Sequence, residues 1–113
     1  MSWIGADLDG TLARCDDQHH RREDHIGGPI PKMVERVKEW LAEGLEVRIF
    51  TARVCEPATA NHQRFLIANW CMKHLGVTLP ITHEKDYDME VLFDDRARQV
   101  ETNTGRIIGG EFV

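Results

Sequence analysis

The sequence predicts a single α/β domain built on a mainly parallel sheet. Short apolar runs alternate with segments of helical periodicity along the chain, which is the pattern of strand–helix–strand units. The chain has 113 residues, well below the length at which one core divides into several. Acidic and hydroxyl residues directly follow the apolar runs, as expected where ligands bind at the carboxyl ends of parallel strands.

Each element has a local reason. Trp3 to Leu8 is short, apolar and bounded by Asp9-Gly10, which suits a buried strand. Residues 13–31 are polar and turn-rich, with Gly27-Gly28-Pro29 and Pro31 marking a loop. A helix is expected over Pro31 to Glu43. Proline sits in its first turn, Met33, Val34, Val37, Trp40 and Leu41 form the apolar stripe, and Gly44 stops it. Leu45, Val47 and Ile49 alternate with Glu46 and Arg48, predicting a strand through Phe50. A second helix is expected from about Thr59 to Leu75, ending at Gly76. Leu79 to Thr82, Val91 to Phe93 and Arg106 to Ile108 read as short strands. There is no repeat and no low-complexity tract.

Composition narrows the function. Nineteen acids against fourteen bases give a net charge of -5, which disfavours general binding of duplex nucleic acid. An acidic protein acting on an anion needs locally focused positive charge, from a metal or from placed Lys and Arg. Cys15, Cys55 and Cys71 are odd in number and lack CxxC spacing, so neither a disulfide framework nor a zinc ribbon is expected. This favours a reducing, cytoplasmic location. No apolar run approaches the roughly 20 residues of a membrane span. Met1-Ser2-Trp3-Ile4 lacks the basic start of a signal peptide.

The chemistry concentrates at four places. After the first strand comes Asp7-Leu8-Asp9-Gly10-Thr11-Leu12, and after the second Thr51-Ala52-Arg53. Lys85 precedes the third apolar run, and Asp94-Asp95 follow it. A parallel sheet would gather these at one edge. Two like charges about 4 Å apart repel by about 4 kcal/mol at an effective dielectric near 20. Four converging carboxylates therefore call for a cation, and a hard divalent ion such as Mg²⁺ suits all-oxygen donors. The turn at Gly10 would bring both Asp7 and Asp9 to the site. Taken singly, Asp9-Gly10 reads as a turn, Asp94-Asp95 as a helix cap, and Lys85 as surface.

Together the four segments resemble the haloacid dehalogenase superfamily of phosphotransferases. Its first motif, DxDGT and a hydrophobic residue, is matched by Asp7 to Leu12. Its second, a strand ending in Thr or Ser, is matched by Ile49-Phe50-Thr51, its third by Lys85, and its fourth by Phe93-Asp94-Asp95. The order is right and the resemblance spans nearly the whole chain. Pro31 to Arg53, Lys85-Asp86-Tyr87 and Asp94-Asp95-Arg96 are also similar to small uncharacterised proteins of bacteria and their phages.

The resemblance implies a Rossmann-like three-layer core without a cap domain, since a cap would enter at loop 13–28 and about sixteen residues hold no separate core. It implies a Mg²⁺-dependent phosphomonoester hydrolase. Asp7 would be the nucleophile and form an aspartyl-phosphate. Asp9 would be the acid and base. Asp7, the Asp9 carbonyl and Asp94 would hold Mg²⁺, with Asp95 acting through a metal-bound water. Lys85, Thr51 and the Ala52 N–H would contact the phosphoryl oxygens.

Arg53 and Arg96 follow the second and fourth motifs and are either phosphate contacts or partners of an acid. In loop 13–28, Cys15, His19, His20 and His25 are zinc-ligand types at poor chelate spacing, and Arg21 and Arg22 could draw in an anion. The expected partner is a small phosphorylated substrate, with nucleotides, sugar phosphates and nucleic-acid ends all compatible. Capless members often borrow a neighbouring subunit as a lid, which leaves room for a homo-oligomer. Two other classes share the ingredients. A non-catalytic phospho-receiver would carry its acidic pair first and its acceptor aspartate on a middle strand, the reverse of the order here. A module that binds phosphate and Mg²⁺ without turnover would need no intact set of Asp7, Asp9, Thr51, Lys85 and Asp94.

Overall fold

The computed structural model describes residues 2–15 and 24–110. The first strand, β1, is Trp3–Asp7, and the first helix, α1, is Pro31–Ala42. Then come β2 (Val47–Phe50), a 3₁₀ turn (Ala52–Val54), α2 (Pro57–Leu75), β3 (Ile81–Thr82) and β4 (Met89–Phe93). A last pair, β5 (Gln99–Val100) and β6 (Ile107–Ile108), closes the described chain.

β1 to β4 form one sheet in the order β3-β2-β1-β4, and every pairing in it is parallel. The expected α/β fold with a mainly parallel, Rossmann-like sheet is therefore present. Because the strands are parallel, Asp7, Phe50, Thr82 and Phe93 all end at the same edge. β1, β2 and β3 step across the sheet in one direction, so right-handed crossovers put α1 and α2 on one face. Val34 and Val37 of α1 and Ile67, Trp70, Cys71 and Leu75 of α2 share a core with Ala6, Val47 and Ile49. Each large apolar side chain fully buried there contributes about 1.5–3 kcal/mol. Trp40 of α1 extends this layer to β4 by packing on Phe93, ring centroids 4.8 Å apart.

The opposite face is covered by a connection rather than a helix. The chain returns from β3 to β4 through residues 83–88 and crosses β2 and β1 on the way. Trp3, buried on this face, donates its indole N–H to Asp86 Oδ1 at 2.7 Å. Arg48 stacks on the same ring with its guanidinium carbon 4.5 Å from the centroid. The third layer of the expected architecture is this connection.

Element ends follow local chemistry. Both helices open on a proline, whose missing N–H would have no partner in a first turn anyway. α2 thus starts at Pro57, two residues before the expected Thr59. Its last turn closes on Gly76, at φ 80°, whose N–H reaches the carbonyls of Cys71 and Met72. β2 starts at Val47 rather than Leu45, because the Leu45 N–H is still tied to the Trp40 carbonyl at the helix end. The expected final strand exists but lies outside the sheet. Ile107–Ile108 pairs antiparallel with Gln99–Val100 across a local turn, where Arg106 and Glu101 form a 2.7 Å ion pair. Closing a short loop costs less chain entropy than returning to the main sheet.

Half of the expected flexible loop at 13–28, residues 16–23 with His19, His20, Arg21 and Arg22, lies outside the described residues. Its two ends are held together. The Arg14 N–H donates to the Gly28 carbonyl, the Ile30 N–H to the Leu12 carbonyl, and the Trp70 indole N–H to the Gly27 carbonyl. No helix among the described residues is long and apolar enough to cross a membrane.

Candidate active site

β1 runs into the site through a tight reversal. Asp7 is its last residue, Leu8 is fully buried, and the N–H groups of Thr11, Leu12 and Ala13 all point to the Leu8 carbonyl. Gly10 makes the reversal possible with φ 89°, a region that costs other residues about 1–2 kcal/mol. β4 delivers Asp94 and Asp95 beside it. One ligand oxygen each from Asp7, Asp94 and Asp95 lie within 4.8 Å of one another.

Thr11 joins the two strands. The Asp95 N–H donates to Thr11 Oγ1 at 3.1 Å, and that hydroxyl lies 3.4 Å from Asp7 Oδ2 and 3.3 Å from Asp95 Oδ1. One hydroxyl proton cannot serve both carboxylates well. Asp94 Oδ1 accepts the Arg96 N–H at 2.8 Å.

Electrostatically the cluster is short of positive charge. Burial, then the charge of Asp94 and contacts with Asp95, push the Asp7 carboxyl up to about 7. No arginine or lysine forms an ion pair with Asp7, Asp94 or Asp95 among the described residues. The donors are all hard carboxylate oxygens, half-buried to exposed, so the group fits a hydrated Mg²⁺ in charge, donor type and spacing.

β2 supplies the second side of the site. Asp7 is paired in register with Phe50, so Thr51 follows at the same edge. Thr51 is buried, and its Oγ1 accepts the Arg53 N–H at 3.2 Å and so starts the 3₁₀ turn. The Thr51 hydroxyl proton then points elsewhere, and exposed Ala52 opens the turn beside it.

Arg53 is bound to the protein. Its Nε donates to Asp9 Oδ2 at 2.7 Å and its Nη2 to Asp9 Oδ1 at 2.9 Å, a bidentate pair. Nη2 also donates to the His25 carbonyl at 2.7 Å, and Nη1 to Gln63 Oε1 at 3.1 Å.

The structure thus brings Asp7, Asp9, Thr51, Ala52, Arg53, Asp94 and Asp95 to one edge, and it does not bring Lys85 into contact with them. Lys85 is exposed and immediately precedes Asp86, whose carboxylate sits on Trp3 at the start of β1. The connection has by then turned back from the carboxyl edge. Arg96 is exposed as well. Two contacts went unread in the sequence. Thr11 lies inside the first motif, and its hydroxyl is the only signal there for its contacts with Asp7 and Asp95. Gln63 is a lone polar residue on the buried stripe of α2 that continues through Ile67, Trp70 and Cys71.

The fold and site define a small α/β protein with a carboxylate cluster at the carboxyl edge of a parallel sheet. No protein-family model and no curated protein matches the chain. Among solved structures it is similar to one from Bacteroides thetaiotaomicron, described as a conserved protein coded by a locus of that organism. The match has a TM-score of 0.55 and 22% identity over 83% of this chain and 75% of that one. At that identity the likeness carries the fold.

Proposed function

We propose that the chain is a Mg²⁺-dependent phosphomonoester hydrolase of the haloacid dehalogenase type, acting on a small phosphate ester such as a nucleotide. The observation that carries the reading is the convergence of Asp7, Asp94 and Asp95, with no cationic partner among the described residues and with Asp9 and Thr51 at the same edge. Asp7, Asp94 and Asp95, with the Asp9 carbonyl, would hold Mg²⁺, which when bound neutralises charge on phosphoryl oxygens.

The chain's own residues supply the rest. An Asp7 carboxylate oxygen attacks phosphorus, the bond to the leaving oxygen breaks, and an aspartyl-phosphate forms on Asp7. Asp9 gives a proton to the leaving oxygen and then takes one from the water that cleaves the acyl phosphate, releasing inorganic phosphate and restoring Asp7. The Thr51 hydroxyl and the Ala52 N–H would donate to the phosphoryl oxygens. This reading gives Lys85, which is exposed, no such contact. A cytoplasmic location fits a chain in which no disulfide joins Cys15, Cys55 and Cys71.

Hydrolysis of 4-nitrophenyl phosphate with Mg²⁺, and again after EDTA, tests the reading. Activity that needs Mg²⁺ and disappears in Asp7→Asn supports it. Full activity in EDTA removes the metal from it, and no hydrolysis across aryl, sugar and nucleotide phosphates removes the enzyme.

A further inference from the structure

We infer that Arg53 is a positioning residue that holds the Asp9 carboxylate, and is not a ligand of the substrate phosphate. The inference rests on the phosphatase reading and adds a residue that acts through Asp9.

An arginine has five N–H donors. Four are committed here, two to Asp9, one to Gln63 and one to the His25 carbonyl. The Arg53 side chain is only 9% exposed and that of Asp9 17%. Only one N–H, on Nη1, is left, so a two-pronged phosphate contact would have to break bonds that are largely shielded from water, where the loss is poorly compensated.

The fork also sets direction. Both Asp9 oxygens lie on the guanidinium edge, so the plane of the carboxylate follows that of Arg53. Arg53 is in turn fixed from two sides. Gln63 is only 3% exposed within α2, and His25 lies at the base of the loop that returns to Pro29. The backbone N–H of Arg53 is held by Thr51. Asp9 follows β1 by two residues at a reversal and has few local means of holding one rotamer. The base role of Asp9 in the second step, taking a proton from the attacking water as a carboxylate, needs that rotamer held.

The test is steady-state hydrolysis of 4-nitrophenyl phosphate at saturating Mg²⁺, with inorganic phosphate as competitive inhibitor. In Arg53→Ala we expect kcat to fall about 30–100-fold, with KM and the phosphate inhibition constant within about two-fold. Arg53→Lys should stay at least about ten-fold down in kcat, because an ammonium cannot reproduce the fork. In an Asp9→Asn background, Arg53→Ala should cost less than about three-fold more, since its role would already be lost. Gln63→Met keeps both charges and carries the test if Arg53→Ala does not fold; there kcat should fall about three- to ten-fold at unchanged KM.

A rise of about ten-fold in KM and in the phosphate inhibition constant would make Arg53 a substrate ligand and overturn the inference. So would a folded Arg53→Ala with wild-type kcat, full rescue by lysine, or fully multiplicative losses with Asp9→Asn. A wild-type protein without turnover rejects the phosphatase reading and this inference with it. An active wild type with any of the contrary variant results rejects the inference alone.

Discussion

Gly10 and Asp95 are packed so closely that a Cβ on Gly10 would lie 2.5 Å from Asp95 Oδ2. The reversal that presents Asp7 and Asp9 therefore leaves only enough room for the carboxylate delivered by β4. The two sides of the candidate metal site limit each other's position.

Gly10→Ala should act on this contact twice. The positive φ costs about 1–2 kcal/mol of stability. The added methyl group must also displace the Asp95 carboxylate, the mobile end of its side chain. Mg²⁺ affinity should fall about ten-fold, beyond what the folding loss explains. Calorimetric titration beside urea denaturation measures both, and unchanged affinity would remove Asp95 from the metal site.

The Asp7 carboxyl, raised from 3.8 to about 7, predicts how stability responds to pH. The folded protein holds this proton more tightly than the unfolded chain. The contribution is therefore complete below about 4 and is lost as pH rises through about 7. In EDTA, urea-determined stability should decline across that window. Asp7→Asn should lack the decline, and saturating Mg²⁺ should offset it by binding the ionised form. Asp86 and Glu101, held below the usual carboxylate range by hydrogen bonds from Trp3 and Arg106 respectively, act in the opposite sense at lower pH. A decline that persists in Asp7→Asn would place its origin elsewhere.

Asp7 and Asp9 should separate by what accumulates. Asp9→Asn keeps the nucleophile but slows proton transfer by about 10²–10⁴-fold. A nitrophenyl leaving group needs little protonation, so covalent phosphate should build up on Asp7 in that variant. Intact mass after an acid quench should show it, and Asp7→Asn should show none. Phosphate on Asp9 would reverse the roles.

Lys85 divides sequence motif from structure. Motif order gives it the phosphoryl group, whereas the structure leaves it exposed and out of contact with Asp7. On the geometry, Lys85→Ala should lower kcat/KM less than about ten-fold, far short of Asp7→Asn. A loss above a hundredfold would mean that the 83–88 connection brings the lysine to the site during turnover.

The parts legible in the sequence share one feature: each depends on residues close together in the chain. The stripe of Val34 and Val37 with the Pro31 start specified α1, and Asp7 to Leu12 announced its turn. The hairpin of Gln99–Val100 with Ile107–Ile108 was legible only by half. Two-residue strands carry no period, and the first of the pair is exposed and polar at Gln99.

The sequence by itself determined that Asp7, Thr51 and Asp94 end up at the carboxyl edge. Each directly follows an apolar run read as a strand, and parallel strands end at a common edge. Only the tertiary structure decided what those side chains do to one another. The Arg53–Asp9 pair spans 44 residues and the Thr11–Asp95 contact 84, and both depend on how strands and connections from distant parts of the chain come together. Lys85 shows the same limit. Its order along the chain suits a phosphate contact, but the lysine is exposed beside Asp86, which accepts the Trp3 indole N–H at the start of β1. Local periodicity encodes elements and their edges, whereas a guanidinium or an ammonium finds its partner through space.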